Sequence, residues 1–372
     1  MKAQVSIVKC NSYERGQVEK SVGAALDLLG GIKKFIKPGS KVLLKPNLLL
    51  AAEPEKGVTT HPEIVRAIVV ALKALDVEII LGDGPCVWGS EIENIEEVFE
   101  KTGMRKIAEE FKIRLVNFDN PRWRKDFPLT KYLDEVDSFI SVPKFKTHNF
   151  TILTGAVKNL FGLVSGTYKT ELHKKYFDPS AFAQMLVEIY KEAPPVLSIV
   201  DAVVAMEGEG PGTTGKTRDV GLILASADAV ALDSVLTVIM GLSPQQIPTT
   251  QEASRRKLGV SDLASIEILG ENLKSMTLVP FKLPTASVTS RIPPPILNIV
   301  KKFIKFYPQV DRKACTLCQA CLVACPNKAI SIKFEAIRID YAKCLSCFCC
   351  QEACPSAAIK TKKSVLAKMI GL

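Results

Sequence analysis

The sequence predicts an α/β protein whose mostly parallel, open sheet carries helices on both faces, followed by a small cysteine-rich α+β domain. The chain has 372 residues, of which 47% are hydrophobic, so it can bury a sizeable core. Up to about residue 275, short β-rich runs alternate with helical patterns. Beyond that point, nine of the eleven cysteines crowd between Cys315 and Cys354.

Eight β-rich runs predict the strands of the sheet. They are Val5–Lys9, Lys41–Lys45, Val77–Leu81, Ile113–Asn117, Ser138–Val142, Val196–Val200, Val220–Ala225 and Ser265–Leu269. Because helical segments separate most of them, the connections are crossovers and the sheet is mostly parallel.

Five segments predict helices: Val18–Leu29, His61–Leu75, Glu93–Thr102, Ser180–Glu192 and Ala229–Met240. The second follows Thr60, which has the spacing of a capping box with Glu63. Pro62 lies in its first turn, where proline costs no helical hydrogen bond.

The positive charge is concentrated near the C-terminus. Of a net charge of +10, five basic residues fall in 281–309 and four in 360–372, with no acidic residue in either segment. The rest of the chain is near neutral, which argues against a nucleic-acid-binding face. We divide the chain into an α/β domain (1–275), a proline-rich basic linker (276–309), a cysteine-rich domain (310–360) and a basic tail (361–372).

The linker contains a basic amphipathic pattern, with Ile296, Val300, Phe303 and Ile304 on one helical face. Two interpretations stay open: peripheral contact with an anionic membrane, or packing on the protein itself. No run of about 18 uncharged apolar residues predicts a transmembrane helix. The first ten residues resemble a strand more than a signal peptide, so we expect a cytoplasmic protein.

The cysteines form the motif C-x2-C-x2-C-x3-C-P twice, 29 positions apart. In two-cluster ferredoxins the fourth cysteine of each run ligates the other cluster, whereas zinc sites favour ligand pairs separated by longer loops. The motif therefore predicts two 4Fe–4S clusters. One is assigned to Cys315, Cys318, Cys321 and Cys354, and the other to Cys344, Cys347, Cys350 and Cys325. The extra Cys349 is predicted to fill space.

This stretch resembles bacterial-type two-cluster ferredoxins over about fifty residues. The resemblance implies one-electron transfer at low potential and a redox protein as partner.

Polar residues follow several predicted strands, where open α/β sheets bind ligands. Lysines here favour a carboxylate or phosphate, and acidic residues favour a cation or a general base. We assign His148, Lys146 and Asp83 as candidate catalytic residues, with His148 as the acid–base group. The candidate substrate-binding residues are Lys45, Asn47, Lys144, Lys158, Asp201 and Glu207. All except Lys158 and Glu207 are expected to converge in one pocket. Of the other histidines, His61 is expected to cap a helix and His173 to lie on the surface.

A Walker A pattern runs from Gly210 through Gly215, Lys216 and Thr217. The mechanism of a P-loop requires these residues to open a helix. The following "RDVGLILAS" is strand-like instead, so we interpret the match as chance.

The segments "LLKPNLL", "GVTTHPEIVRAIV", "GDGP", "VPKFKTHNFTILTGAVKNLFGLV", "IVDAVVAMEGEGPG" and "ASADAVALD" resemble the domain of unknown function 362 family over about residues 3–270. This prokaryotic family often carries a fused ferredoxin module. The resemblance implies an iron–sulfur protein and supplies no catalytic residues.

The leading hypothesis is a ferredoxin-type reductase that passes low-potential electrons through two 4Fe–4S clusters to a small anionic substrate or cofactor in the α/β crevice. Two alternatives stay open. One is a non-enzymatic electron carrier or accessory protein whose α/β domain binds a partner. The other is a ligand-binding or isomerase-like domain whose clusters sense redox state. A G-x-G-x-x-G dinucleotide motif does not follow the first strand.

Overall fold

A computed structural model of the chain describes residues 2–84, 94–273, 279–285, 287, 306–364 and 367. The strands of the α/β domain (residues 2–273) are β1 Ala3–Lys9, β2 Lys41–Pro46, β3 Glu78–Asp83, β4 Arg114–Asn117, β5 Pro121–Arg124, β6 Phe127–Thr130, β7 Ser138–Val142, β8 Lys144–His148, β9 Ile152–Thr154, β10 Leu197–Gly208, β11 Gly215–Ser226 and β12 Ile266–Gly270. Ten of them form one sheet, and β5 and β6 form a separate hairpin.

The order of the sheet is β12-β1-β11-β10-β7-β2-β3-β4, with β8 also pairing with β10 and β9 pairing with β8. Neighbouring strands are parallel, except that β11 runs antiparallel to β1 and β10, and β9 runs antiparallel to β8. The predicted mostly parallel sheet is confirmed. Its parallel strands β2, β3, β7 and β10 point their carboxyl ends to one edge.

Helices cover both faces of this sheet. They are α1 Arg15–Leu28, α2 Pro62–Lys73, α3 Ile95–Lys101, α4 Met104–Phe111, α5 Ala156–Asn159, α6 Tyr168–Lys175, α7 Pro179–Glu192, α8 Ala229–Ile239 and α9 Pro248–Arg255. Side chains alternate along each strand. Val42 and Leu44 of β2 therefore pack with α1–α4, whereas Leu43 between them packs with the later helices.

The cap of α2 differs from the predicted one. His61 is the N-cap residue, and its Nδ1 accepts a hydrogen bond from the backbone N–H of Glu63. The Thr60 hydroxyl instead donates to the carbonyl of Val142 (2.6 Å) and accepts from the backbone N–H of Asn47 (2.8 Å). The capping-box prediction is wrong because tertiary partners occupy the threonine hydroxyl.

The segment from Lys144 to His148 is also not the loop that its polar residues suggested. It forms strand β8, and all five of its residues are buried. Its pairing with β10 places it inside the domain, beside β7. Polar residues occupy a buried strand here because each finds a buried partner, as described below.

The last described segment is a small α+β module, here called the iron–sulfur module (residues 306–364). It contains β13 Phe306–Val310, α10 Ala320–Val323, β14 Ile330–Lys333, β15 Ala336–Ile339, α11 Cys349–Glu352 and β16 Ile359–Lys363. Strand β13 pairs with β16, and β14 pairs with β15. The predicted amphipathic helix falls mainly in 296–305, outside the described residues. Within the described part of the chain, no helix is long and apolar enough to cross a membrane.

Candidate functional site

A cavity lies at the carboxyl ends of β2 and β3, where the sheet topology predicts a ligand site. It encloses roughly 440 Å³, part of it open to solvent. We call it the Lys158 cavity. Its lining consists of Asn47, Leu48, Leu49, Asp83, Gly84, Thr154, Lys158, Asn159, Phe161, Gly162, Lys169, His173 and Glu352.

A buried ion pair forms its base. Lys45 Nζ lies 2.8 Å from Asp83 Oδ1, and Lys45 is fully buried. The other Asp83 oxygen accepts a hydrogen bond from the backbone N–H of Leu48 at 2.7 Å. A Cβ atom at Gly162 would lie 2.4 Å from Asp83 Oδ1, so only glycine lets this backbone approach the pair. Burial lowers the pKa of Lys45, and the Asp83 charge partly offsets this effect.

Asn159 links this pair to the cavity wall. Its Oδ1 accepts from Asn47 Nδ2 at 3.1 Å and from Lys45 Nζ at 3.4 Å, and its Nδ2 donates to Ser141 Oγ at 2.9 Å. Because an ammonium group only donates, the oxygen of Asn159 must face Lys45. The amide nitrogen of Asn47 then faces Asn159, and the Oδ1 atom of Asn47 is buried without a hydrogen-bond partner.

The opposite wall is basic and was mostly missed from the sequence. Lys158 was predicted there, but Lys169 and His173 of α6 line it as well. His173 was expected on the surface, yet it is 2% exposed and stacks on Phe182 with ring centroids 4.6 Å apart. Burial lowers the pKa of His173 to about 3, so the ring is neutral at pH 7. Lys169 and His173 have helical spacing, so both lie on one face of α6. Because the surrounding sequence "YKTELHKK" is polar, it does not distinguish this face from the others.

Glu352 reaches the Lys158 cavity from the iron–sulfur module. It belongs to α11 and stands between Cys350 and Cys354 in the sequence. Its Oε1 lies 3.0 Å from His148 Nε2, although the two atoms are not aligned as a hydrogen bond. Burial alone would raise the pKa of Glu352, but its contact with His148 and the charge of Lys158 outweigh burial and lower the pKa to about 2.

His148 is held in one orientation by the backbone. Its Nδ1 accepts hydrogen bonds from the N–H groups of Phe150 (3.0 Å) and Thr151 (3.2 Å). The ring proton therefore lies on Nε2, which faces Glu352. Burial lowers the pKa of His148 to about 4, and the charge of Lys158 adds to this. At neutral pH the ring is uncharged, so its surroundings do not favour the predicted acid–base role.

Further contacts join the two domains around Glu352. Asn149 Nδ2 donates to Gln351 Oε1 at 2.5 Å. Thr213, in the loop between β10 and β11, donates its hydroxyl to the carbonyl of Cys354 at 2.6 Å. A Cβ atom at Gly212 would lie 2.9 Å from the Glu352 carbonyl, so the glycine-rich loop approaches α11 closely. This loop therefore contacts the iron–sulfur module.

Lys144 and Asp201 lie in a separate, fully buried cluster. Lys144 Nζ is 2.8 Å from both Asp201 Oδ2 and the Tyr13 hydroxyl, which itself donates to Asp201 Oδ1 at 2.8 Å. The ring of His61 stacks on Tyr13 with centroids 3.6 Å apart, and its backbone N–H donates to Asp201. The cluster satisfies its own charges and lies outside the lining of the Lys158 cavity.

Two more predicted residues also lie outside that lining. Lys146 Nζ donates to the carbonyl of Val58 at 2.6 Å. Glu207 accepts from Arg218 at 2.9 Å and from the backbone of Lys282 at 3.0 Å. The expected convergence in one pocket is thus corrected: Asn47 and Asp83 line the cavity, together with the separately predicted Lys158. The acidic residues pair with different cations, so they do not meet around a metal ion.

A second cavity, of roughly 330 Å³, lies within the iron–sulfur module, and we call it the cysteine cavity. Its lining includes Cys325 of the first motif together with Cys344, Cys347 and Cys350 of the second. The donor set and the enclosed space fit one cluster with crossed ligation. Burial raises the pKa of Cys321 to about 12, and the neighbouring Cys354, Cys318 and Cys315 add to this, so these four thiols are close together.

The two halves of the module repeat the same hydrogen bond to sulfur. The backbone N–H of Ala329 donates to Cys325 Sγ at 3.1 Å, and that of Ala358 donates to Cys354 Sγ at 3.2 Å. The cysteine and the alanine have the same spacing in both pairs, and the second pair lies 29 positions after the first. Hydrogen bonds to ligating sulfurs are among the factors that set cluster potentials.

The Walker letters lie in an antiparallel hairpin. Gly215, Lys216 and Thr217 begin β11 and pair with Gly208, Glu207 and Met206 of β10. Lys216 is exposed, and no helix begins at this point. The interpretation of the match as chance therefore agrees with the structure.

The fold and these cavities define an α/β protein with a fused iron–sulfur module. A family model described as "Domain of unknown function (DUF362)" matches residues 42–237, just over half of the chain, and the chain belongs to that family. A model for a 4Fe-4S dicluster domain matches residues 307–355, which supports iron–sulfur binding and an electron-transfer role. The predicted family and fusion are confirmed.

The chain is 38% identical over 272 residues to the thylakoid-associated protein sll1697 of Synechocystis sp., covering 71% of this chain and 82% of that protein. Among solved structures, the lactate racemase apoprotein from Thermoanaerobacterium thermosaccharolyticum has 14% identity and a TM-score of 0.41, covering 65% of this chain and 58% of the racemase chain.

Proposed function

We propose that the protein is an iron–sulfur reductase that acts on a small anion bound in the Lys158 cavity. The observation that carries the proposal is the position of Glu352. This residue lies in α11 between two predicted cluster ligands, and it also lines the cavity of the α/β domain. This position brings the predicted clusters close to the ligand site, as a reductase requires.

Two 4Fe–4S clusters, held by Cys315, Cys318, Cys321 and Cys354 and by Cys344, Cys347, Cys350 and Cys325, would supply low-potential one-electron transfer from a redox protein to the bound anion. Lys158 attracts the anion, and Asn47 and Asn159 line the same cavity. The Lys45–Asp83 pair fixes the base of the cavity. A two-electron reduction also consumes two protons, which water supplies through the open side of the cavity.

The alternative of a non-enzymatic electron carrier also has an observation in its favour. Cys318 is exposed, whereas Cys321 and Cys354 are buried. An exposed ligand brings a cluster close to the surface, where a partner protein could exchange electrons with it. The two functions differ in whether the Lys158 cavity holds the electron acceptor.

We further propose a cytoplasmic location with peripheral membrane contact through the basic linker. The support is the excess of lysine and arginine in 281–309 and the thylakoid association in the name of one relative. Flotation with anionic and neutral vesicles tests this point. Binding to both equally, or to neither, would contradict an electrostatic membrane contact.

The reductase is tested by anaerobic purification followed by mass spectrometry of the small molecules that remain bound. After chemical reduction of the clusters, we expect the bound compound to gain two hydrogen atoms while the visible absorbance of the oxidised clusters returns. The variant Lys158→Met should lose the compound and keep the clusters. The matched variant Lys216→Met should keep both, because Lys216 is exposed on β11.

If the clusters stay reduced in the presence of an unchanged bound compound, the reductase is wrong. Reoxidation by an added ferredoxin-type protein alone would then favour the electron carrier.

A further inference from the structure

The iron–sulfur module consists of two halves that repeat the same structure 29 positions apart. Helix α10 of the first half corresponds to α11 of the second, and strands β13 and β14 correspond to β15 and β16. The strands pair across the halves, β13 with β16 and β14 with β15. Positive φ angles also recur at equivalent positions, which are Leu317 and Gln319 in the first half and Ser346 and Phe348 in the second. The surfaces of the two halves can therefore be compared position by position.

The second half contacts the α/β domain through α11. Gln351 Oε1 accepts a hydrogen bond from Asn149 Nδ2 at 2.5 Å. A Cβ atom at Gly212 would lie 2.9 Å from the carbonyl oxygen of Glu352, so the backbones of the two domains approach each other closely here. Gln351 and Glu352 are both buried. The α/β domain thus covers this face of the second half.

The equivalent face of the first half is open to solvent. Val323 is the counterpart of Glu352, yet Val323 is 40% exposed and Glu352 only 3%. Cys318 is exposed, whereas its counterpart Cys347 is buried. Leu317, which precedes Cys318, is 38% exposed. We call this surface, formed by Leu317, Cys318 and Val323, the Cys318 face. It exposes apolar side chains next to an assigned cluster ligand.

The first half is positively charged around this face. Between residues 312 and 334 the sequence has four basic residues and no acidic residue. All four are exposed: Arg312, Lys313, Lys328 and Lys333. Arg312 and Lys313 lie in the turn that leads into the first motif, where the N–H of Cys315 donates to the carbonyl of Asp311 at 3.1 Å. An acidic surface would complement this charge, whereas a second copy of this chain would meet it with like charge.

We infer that the Cys318 face is the docking site of an acidic one-electron carrier protein, which delivers electrons to the cluster assigned to Cys318. One electron passes from the reduced carrier to the oxidised cluster, and no bond is formed or broken. The inference rests on the proposed function, because it names the kind of partner that supplies the reductase. An anionic lipid surface would match the charge but has no electron to give. The second half, which contacts the α/β domain, then passes the electrons toward the Lys158 cavity.

Rapid-mixing measurements of electron transfer test this docking site on the protein with its clusters. The probe is a plant-type 2Fe–2S ferredoxin, which is an acidic one-electron carrier. Reduced ferredoxin is mixed with oxidised protein, and oxidised ferredoxin with chemically reduced protein, so that transfer is observed whichever potential is lower. We expect the rate constant to fall by about tenfold or more from low to high salt, because salt screens the attraction between unlike charges.

Two substitutions connect the transfer to the Cys318 face, and each has a matched control in the α/β domain. Val323→Glu should slow the transfer by about tenfold or more, whereas Val70→Glu should not, although Val70 is 41% exposed. Lys313→Glu should slow it by about threefold or more at low salt and weaken its salt dependence. Lys37→Glu, at another exposed lysine, should change neither. Equal iron content and equal final reduction by dithionite show that each variant keeps its clusters.

The inference is overturned by transfer in neither direction, by transfer that does not depend on salt, or by equal rates in the unmodified protein, Val323→Glu and Lys313→Glu. It is also overturned if the protein is a dimer that Val323→Glu separates, because the face is then a contact between copies. Binding to anionic vesicles that Val323→Glu abolishes, with ferredoxin transfer unchanged, would make the face a lipid contact instead.

These measurements need no reduction of a bound compound, so their failure is separate from that of the reductase. A protein that exchanges electrons at the Cys318 face but leaves its bound compound unchanged would retain the docking site and lose the proposed function.

Discussion

His148 Nε2 and Glu352 Oε1 lie 3.0 Å apart, although the two residues are 204 positions apart in the sequence and belong to different domains. One ends a buried strand of the α/β domain, and the other ends a short helix between two predicted cluster ligands. Both side chains are buried. The contact therefore makes the iron–sulfur module part of the wall that encloses the Lys158 cavity.

Buried histidines should make the stability of the protein depend on pH. Burial lowers the pKa of His148 to about 4 and that of His173 to about 3, from about 6.5 in the unfolded chain. Between the folded and the unfolded pKa values, the unfolded state binds more protons than the folded state. The contribution of each histidine to the free energy of unfolding is therefore fully present above about pH 6.5 and is lost as the pH falls. Each histidine should contribute about 1.4 kcal/mol per pH unit within its window.

The groups that face these rings include Glu352, Lys158 and, for His148, Lys146. The lowered pKa of Glu352 adds stability that is lost only below about pH 4.5, on the same acid side. Anaerobic denaturant titrations at several pH values measure the dependence, with cluster absorbance recorded at each. His148→Gln should give a shallower slope between pH 6.5 and 4. An unchanged slope would show that His148 does not titrate as expected.

The topology of the α/β domain was predictable because hydrophobic periodicity and crossover connections are local signals. Strands such as Lys41–Pro46 and Glu78–Asp83 lie where the pattern placed them. The rule that ligands bind at carboxyl ends then located Asn47 and Asp83 correctly in one cavity. These inferences need no knowledge of which side chains pair with each other.

The remainder of the site was not predictable from such patterns because it depends on tertiary pairing. The sequence does not reveal that Lys144 and Asp201 neutralise each other, or that Lys146 bonds to Val58. It also gives no sign that α11 of the iron–sulfur module docks at the cavity. Glu352 therefore appeared to be an ordinary residue of the cysteine motif, although it lines the Lys158 cavity.

Asp201 and Glu207 were both predicted to bind substrate, and their surroundings now give them different expected roles. Asp201→Ala should cost about 3–5 kcal/mol of stability, because it leaves the fully buried Lys144 without its counter-ion. Glu207→Ala should cost about 1 kcal/mol or less, since its partner Arg218 is partly exposed. Denaturant titrations of the two variants measure the difference. Equal costs would contradict the assigned structural role of Asp201.

Lys216 should have no role in nucleotide binding. Its position in β11 leaves the Walker letters without the helix whose N-terminal amides would hold phosphate. We expect no stoichiometric binding of ATP or GTP in equilibrium dialysis, and the same result for Lys216→Ala. Stoichiometric binding that Lys216→Ala abolishes would instead revive the nucleotide hypothesis.

The cluster ligands give the last prediction. Anaerobically prepared protein should contain about eight irons and eight acid-labile sulfides, as two cubanes require. Cys354→Ser should damage the cluster held by Cys315, Cys318 and Cys321, because crossed ligation assigns Cys354 to that set. Electron paramagnetic resonance of the reduced variant, with iron analysis, should then report one intact cluster.

Cys349→Ala provides the matched control for this experiment. Cys349 is fully buried beside Cys350, yet it is absent from the lining of the cysteine cavity. Its removal should keep both clusters at a modest cost in packing. Cys325→Ser should damage the other cluster, whose remaining ligands Cys344, Cys347 and Cys350 line the cysteine cavity with it. If Cys354→Ser and Cys325→Ser each damage the cluster of their own motif instead, the ligation is not crossed.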